Sequence, residues 1–495
     1  MPEVLPQGSA TAAAATRESD TTAVGDGNHG LERLRQASRL TIAAWAIFVV
    51  FALLALWRPV THDFRDQPLA GDEASHLLQA LSIAYDSHTL NFDQRDVERW
   101  QSLAWATQPV GLFFQRYDGD LYGVAKPYGY SLYLAPFIAV FGAVPGVAIG
   151  NTLLLALLMG ISTLLLLTRY RGPVVPLAVG SFFLAASPYM YAYWNHTELF
   201  LALVVLVAFA AAVRFAQTGG AAWALLSFAA MGFGMSEKAA FIALFAPIAL
   251  VMLWKARQMW LRVAMPVVAI AVFAVAIVPY LYYSDGASFT PYGGDHRLYV
   301  SHGTPFGGAT EGFSSTSFEA TGLVEDVRGI SVTETLESLA YYAVGRHTGL
   351  LVYLPLALLL IVAGLARFRK TDAWGRAAVV SVVGYIVFYA VVFPTNYFGG
   401  GHALGNRYFL QAAPAVLALV VLAGVSRRVL LATSLAGAAI AVAMLLPHHR
   451  DPDSGHIHIE RTSVLQRLLP VESNQVELPY VTCDRQAVTH IAACR

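Results

Sequence analysis

The chain alternates long apolar blocks with short polar connections. A first block, 40–57, follows 39 polar residues that end in Arg33, Arg35 and Arg39. It is too long for a signal-peptide core and lacks a clear cleavage site, so it reads as an uncleaved transmembrane helix. Residues 58 to about 128 form a polar loop. The block 129–143, closed by Pro145-Gly146, has the length of an interfacial or re-entrant helix rather than of a span. Ten further blocks lie at 147–167, 174–191, 197–215, 221–234, 238–254, 262–283, 348–366, 374–393, 407–425 and 429–446. If 129–143 is re-entrant, the connections with Arg169/Arg171, Arg214, Lys255/Arg257, Arg367/Arg369/Lys370 and Arg427/Arg428 share the side of the N-terminus. If it spans, all of them face outward. The positive-inside bias selects the first arrangement.

The pattern therefore predicts an all-α polytopic membrane protein with about eleven transmembrane helices. The N-terminus is expected in the cytoplasm and the C-terminus outside, as in a bacterial inner membrane. Its parts are a polar, disordered segment 1–39, a transmembrane domain 40–446 and an external tail 447–495. Two external loops, 58–146 and 284–346, interrupt the domain, and the first carries the interfacial or re-entrant helices. The span 221–234 is short and needs tilted neighbours or a thinned bilayer. Aromatic residues near the outer ends, such as Tyr189, Tyr191, Tyr193 and Trp194, read first as an interfacial belt.

Composition agrees with this reading. Of 495 residues 56% are hydrophobic and 13% charged, whereas soluble domains are about 25% charged. A soluble enzyme and a disordered scaffold are both excluded. The formal net charge of zero argues against a nucleic-acid binder, yet it conceals a division. The topology puts 16 basic and 6 acidic residues inside and 16 basic and 26 acidic residues outside. In the cytoplasmic loops a single acid, Asp372, faces twelve basic residues; loop 284–346 holds eight acids against Arg297, Arg328 and Arg346. Both cysteines, Cys483 and Cys494, fall on the oxidising side, where one disulfide could pin the tail.

Charged groups at membrane depth are costly and tend to be functional. Asp72 and Glu73 follow Gly71 just after the first span, and such a pair can supply a general base and a neighbour that tunes it. Lys126 stands before Pro127 at the mouth of the re-entrant helix, placed either to snorkel or to hold a phosphate. Glu198 opens a span after Asn195-His196-Thr197, where the helix dipole also favours an acid. Glu237 and Lys238 interrupt an apolar stretch, and Arg346-His347 and Arg407-Tyr408 each open a span from outside. Arg407 follows the Gly-rich run Gly399 to Asn406, which contains His402. His448, His449, His456 and His458 have the count of a metal cluster but no partner cysteine or fixed spacing. Asn195-His196-Thr197 matches a glycosylation sequon but lies against a span.

Taken in order, these segments resemble the GT-C superfamily of membrane glycosyltransferases, in the branch of protein O-mannosyltransferases and the lipid A aminoarabinose transferase, over about residues 40–425. Gly71-Asp72-Glu73-Ala74 resembles the acidic motif of the first external loop, and Lys126-Pro127-Tyr128-Gly129 the Lys-Pro segment after it. His196-Thr197-Glu198 resembles the acidic site at the next outer helix end. Met231 to Lys238 resembles a Gly-rich helix ending in Leu-Thr-Lys-Gly, and Gly405-Asn406-Arg407-Tyr408-Phe409-Leu410 with Pro414 the late Arg-Tyr-Leu-Leu-Pro motif. Glu237 and Ala239 depart from the usual Thr and Gly, and Glu198 stands where aspartate is common.

The resemblance implies a polyprenyl-phosphate sugar as donor and an envelope glycan, lipid or protein as acceptor, with membrane lipid around the helices and no nucleic acid. Asp72, with Glu73 beside it, would be the general base of an inverting transfer. Lys126 and Arg407, with Lys238 or Arg346, would hold the donor phosphate. Glu198, His196, Tyr128, His402 and Tyr408 would bind sugar or acceptor. No cofactor is implied with certainty; a divalent metal near Asp72 is compatible, but no ligand set compels it. The same charges could line a transporter or flippase for a polyprenyl-linked glycan, although no inverted repeat accompanies them. They could also dock partners in a non-catalytic envelope-assembly subunit.

Overall fold

The computed structural model describes residues 27–283 with short breaks (67–68, 70, 86–90, 93, 104, 106–108, 110–111, 117–121 and 125). It also describes 296–298, 316–318, 331–400, 403–450, 452, 461–475 and 478. Cys483, Cys494, His402, His456 and His458 lie outside these residues.

The molecule is a helical membrane protein. Among the described residues six helices are long and apolar enough to cross a bilayer: Thr41–Val60, Ala143–Leu167, Glu198–Thr218, Met259–Val278, Ala373–Val392 and Arg427–Arg450. A seventh candidate, Val174–Phe183 with Ser187–Tyr193, is bent by 53°. Each of the eleven expected blocks is mainly helical, and six of them, or seven with the bent pair, reach spanning length. Ala221–Glu237 and Phe241–Lys255 are shorter, and two blocks are broken at prolines. Leu354 leaves the helical region (φ −142°, ψ 53°) before Pro355, so Leu350–Tyr353 and Pro355–Arg367 are separate helices. Pro414, which has no N–H to donate, parts Arg407–Ala412 from Ala415–Leu422.

Helix α1 (Gly27–Val60) begins well before the apolar block. Residues 27–39 of the expected disordered segment are therefore helical, an extension for which Leu31, Glu32, Leu34 and Gln36 are good formers. At the other end the helix Arg427–Arg450 runs through Pro447, four residues past the expected boundary at 446. Only 6% of the α1 span is buried, against 56% of Ala143–Leu167 and 61% of Glu198–Thr218. The last two are central, while α1 turns Ile47, Phe51, Leu54 and Trp57 outward, which is tolerable only against lipid. Asp372, the lone acid of the loops expected in the cytoplasm, acts locally: it caps the helix Ala373–Val392, accepting from Gly375 N–H at 3.0 Å.

The block 129–143 becomes α4 (Gly129–Phe141), which reverses at Gly142 (φ 84°) into α5 (Ala143–Leu167). The two pack antiparallel and close: a Cβ on Gly146 would lie 2.8 Å from the Ile138 backbone, and one on Gly150 2.6 Å from Leu134. Helix α2 (Asp72–Tyr85) packs across α4. Loops 58–146 and 284–346 meet in a small antiparallel sheet of order β1-β3-β2-β4-β5: β1 Asn91–Phe92, β2 Phe113–Arg116, β3 Tyr122–Val124, β4 His296–Leu298 and β5 Thr316–Phe318. Phe114 pairs with Arg297, which joins the two loops. The membrane part is all-α as expected; the sheet was not foreseen, because strands of two to four residues leave no readable alternation.

Candidate active site

Asp72 sits at the start of α2, beyond the left-handed Gly71 (φ 58°), where the first-turn dipole favours a carboxylate. Three basic side chains converge on it, and Arg407 Nη1 also lies 2.9 Å from His196 Nε2. Lys126 Nζ is 2.6 Å from Oδ1, while His196 Nε2 and Arg407 Nη1 are 3.1 and 3.6 Å from Oδ2. Burial opposes ionisation, but Lys126, His196 and Arg407 outweigh it and hold the Asp72 carboxyl well below the usual carboxylate range. Asp72 is 20% exposed, compared with 5% for His196 and 1% for Glu198. Asp72 thus shares the open face of the cluster with Arg407 (16% exposed) and Lys126 (13%).

The His196 ring joins two carboxylates, Asp72 through Nε2 and Glu198 through a short contact at Nδ1. Burial disfavours the imidazolium, yet Glu198 and Asp72 prevail and His196 titrates above its usual 6.5. The ring stacks on Trp194 with centroids 4.3 Å apart. Trp194 Nε1 donates a short hydrogen bond to Glu73, and Asn195 Nδ2 donates to the Glu73 carbonyl at 2.8 Å. Glu73 is buried and spends its carboxylate on holding the 193–196 segment; it does not reach out as Asp72 does. Asn151 Nδ2 donates to the Trp194 carbonyl at 2.9 Å from the α5 side. Asn195 itself is buried, so the sequon is a structural turn.

Helix α7 (Glu198–Thr218) packs against Arg407–Ala412, which brings Glu198 and Arg407 together (3.9 Å, Oε1 to Nε). Asn406 caps the second helix by accepting from Phe409 N–H at 2.8 Å and so fixes where Arg407 emerges. Among the described residues Arg407 Nε has no hydrogen-bond partner despite its burial. Lys238 stands further back: its Nζ donates to Gln411 Oε1 (2.9 Å) and lies 3.5 Å from the Tyr408 ring centroid. Gln411 Nε2 in turn donates to Glu198 Oε1 at 3.2 Å.

The segment from Lys126 to Gly129 is held at both ends. Gln79 Nε2 donates to the Lys126 carbonyl at 3.3 Å, and Gly129 N–H donates to Glu237 Oε1 at 3.2 Å. Expected site residues thus divide. Asp72, Lys126, His196, Glu198 and Arg407 form one cluster, with Glu73, Lys238 and Tyr408 behind it. Tyr128 packs against Ile83 and Ala135 instead, and burial pushes its hydroxyl up to about 12. Arg346 is elsewhere, donating to the Arg467 and Leu469 carbonyls of the tail. Among the described residues no group of three or more His, Cys, Asp or Glu side chains is arranged to hold a metal ion.

His76, Trp194 and Gln411 belong to the site but were not among the residues expected there. His76 lies one turn after Asp72 on α2, a spacing that could have exposed it. It is buried 6.1 Å (ring centroids) from His196, and burial pushes it down to about 3, so it is a neutral wall of the site. Trp194→Phe keeps the stacking ring but removes the indole donor from a buried carboxylate. It is expected to cost roughly 1.5–3 kcal/mol of stability, read as a lower thermal midpoint with donor KM unchanged.

No family model matches the chain, and no curated protein matches it. Among solved structures it is similar to the crystal structure of ArnT from Cupriavidus metallidurans bound to undecaprenyl phosphate, at 17% identity and a TM-score of 0.47 over 82% of this chain. The apo structure of the same protein gives 17% and 0.46. The chain spans about 64% of the length of the first and 65% of the second.

Proposed function

We propose that the chain is an inverting glycosyltransferase that moves a sugar from a polyprenyl phosphate to an acceptor hydroxyl at the external face of the membrane. The observation that carries this reading is a partly open carboxylate, Asp72, ringed by Lys126, His196 and Arg407. Such a centre offers both functions the reaction needs, a base for a hydroxyl and fixed cations for a phosphate. The order of the motifs along the chain supports the same class. Orientation follows from the basic loops, which the positive-inside bias assigns to the cytoplasm.

In the reaction the acceptor oxygen attacks the anomeric carbon while Asp72 takes its proton. The bond to the phosphate oxygen breaks with inversion, and polyprenyl phosphate leaves as an anion, so no general acid is required. A carboxylate held by Lys126, Arg407 and His196 is a weak base. A donor phosphate entering between Lys126 and Arg407 shares those cations, weakens their hold on Asp72 and raises its proton affinity at the moment it is needed. Glu198 and His196 keep Asp72 oriented; Glu73 acts through Trp194 and Asn195 as a positioning residue.

The pH profile follows from the two shifts. Asp72 remains ionised until the pH falls below the ordinary carboxylate range, so activity should persist to unusually low pH. His196 keeps its proton past 6.5, so activity should decline on the alkaline side above that value. His196→Gln should remove the alkaline limb from a kcat/KM profile; an unchanged limb would assign it to another group.

The class is tested by mass spectrometry of envelope glycans from a deletion strain, complemented with wild type or Asp72→Asn. Loss of one sugar, restored only by wild type, is the expected result, and an unaltered glycan profile would overturn the reading. Nuclear magnetic resonance of the product should show the anomeric centre inverted relative to the donor.

A further inference from the structure

The segment after the last apolar helix returns to the bundle and binds it through buried side chains: Glu472, Gln466, and Gln475, whose Nε2 donates to the Pro394 carbonyl at 2.9 Å. Glu472 has no exposed surface. Its Oε1 accepts from the backbone N–H groups of His347 and Thr348, each at 2.7 Å, and from Thr348 Oγ1 at 3.0 Å. The turn at Gly345 admits it because a Cβ there would lie 2.4 Å from the same oxygen. Gln466 Nε2 donates to the Arg346 carbonyl (2.7 Å) and to the Tyr353 hydroxyl (2.9 Å).

Glu472 and Gln466 both lead to the segment that carries Arg407. Since Thr348 Oγ1 gives its hydrogen to Glu472, the Tyr397 hydroxyl must donate to Thr348, and the two oxygens are 2.5 Å apart. The next residue, Phe398, accepts the Arg407 N–H at 3.1 Å. On the second route the ring of Tyr353 lies under Gly405 (φ 70°), where a Cβ would come within 2.6 Å of Cγ. Gly405 is followed by Asn406, the cap of the Arg407 helix. The Tyr191 hydroxyl fastens the Leu404 carbonyl at 2.7 Å from the site side. Arg407 is thus set by contacts that end in the tail.

We propose that residues 466–472 are a strap that positions Arg407, with Glu472 and Gln466 as positioning residues for the donor-phosphate site. This rests on the reading of Arg407 as a phosphate ligand. It explains why Arg346 is bound to tail carbonyls rather than placed beside Asp72: it fastens the strap.

The test uses the full chain in lipid nanodiscs. Glu472→Leu removes the acceptor for three buried donors, whereas Glu472→Gln retains a carbonyl oxygen there. Hydrogen–deuterium exchange should rise at least tenfold in Tyr397–Gly400 and Ala403–Leu410 in the Leu variant, stay unchanged at Lys126–Ser131, and return to wild type in the Gln variant. Undecaprenyl phosphate should bind about tenfold more weakly to Glu472→Leu, with no further loss when the change is added to Arg407→Ala. Unaltered exchange in the Arg407 segment, or an equal loss of binding with and without Arg407, would overturn the strap. If Glu472→Leu fails to fold, Tyr397→Phe cuts only the hydroxyl chain and should still raise exchange at Tyr397–Gly400; no change there is equally decisive against it. Wild-type binding by Arg407→Ala would sink the phosphate reading alone, while the exchange result still decides the strap.

Discussion

Replacing Asp72 by Asn is expected to lower transfer about 10²–10⁴-fold, the range of positioned general-base catalysis. The side chain keeps its size, so membrane insertion should persist, but Lys126, His196 and Arg407 lose their counter-charge and the thermal midpoint should fall. The amide can still accept from Lys126 Nζ, now 2.6 Å from Oδ1, but cannot take a proton from a hydroxyl. Donor binding should strengthen slightly, because Lys126, His196 and Arg407 lose the carboxylate that competes with the phosphate for them. A fall in kcat with unchanged or lower donor KM would be the signature. A variant that turns over at near wild-type rate would remove Asp72 from the base role.

Lys126→Ala carries the second large effect and a different signature. It withdraws the cation nearest Asp72 and, in the proposed reaction, a ligand of the leaving phosphate. Removing one fixed donor to a developing anion typically costs about 10²–10³-fold in kcat. Donor KM should rise as well, with acceptor KM unaffected. Without the ammonium, the Asp72 carboxyl moves back up toward its ordinary range. The acid limb of the pH profile should shift to higher pH accordingly. If only acceptor affinity changed, the phosphate role would belong elsewhere, with Arg407 the next group to test.

The parts of this site that could be read from sequence are those where one residue violates its surroundings. Lys126, Glu198 and Arg407 are charges at the ends of apolar blocks, where the cost of placing charge makes each conspicuous, and Asp72 with Glu73 was legible as an acidic pair after Gly71. Their convergence could be expected from a shared end of the bundle. What could not be read is which of two similar charges arrives. Arg346 and Arg407 both open apolar helices, yet one is turned to tail carbonyls and the other to Asp72 and Glu198. The difference lies in residues more than a hundred positions away, in a polar segment with no periodicity. Glu73 illustrates the same limit: adjacent to Asp72 in sequence, it points a helical step away, into Trp194. Neutral participants such as His76 and Gln411 give no composition signal at all. The helices were legible as apolar blocks; their breaks at Leu354-Pro355 and Pro414 were legible as prolines, though their consequence for a span count was not.

The most direct test of the central claim is transfer by the purified protein in liposomes. It would be given a radiolabelled pool of polyprenyl-phosphate sugars and an extract of envelope acceptors, with wild type and Asp72→Asn side by side. The expected result is label moved covalently to an acceptor, one polyprenyl phosphate released per sugar transferred, and transfer by the variant lowered at least about 10²-fold. Label that crosses the bilayer still attached to its lipid would make the protein a transporter, and neither movement nor transfer would leave it an assembly subunit; either result contradicts a transferase centred on Asp72.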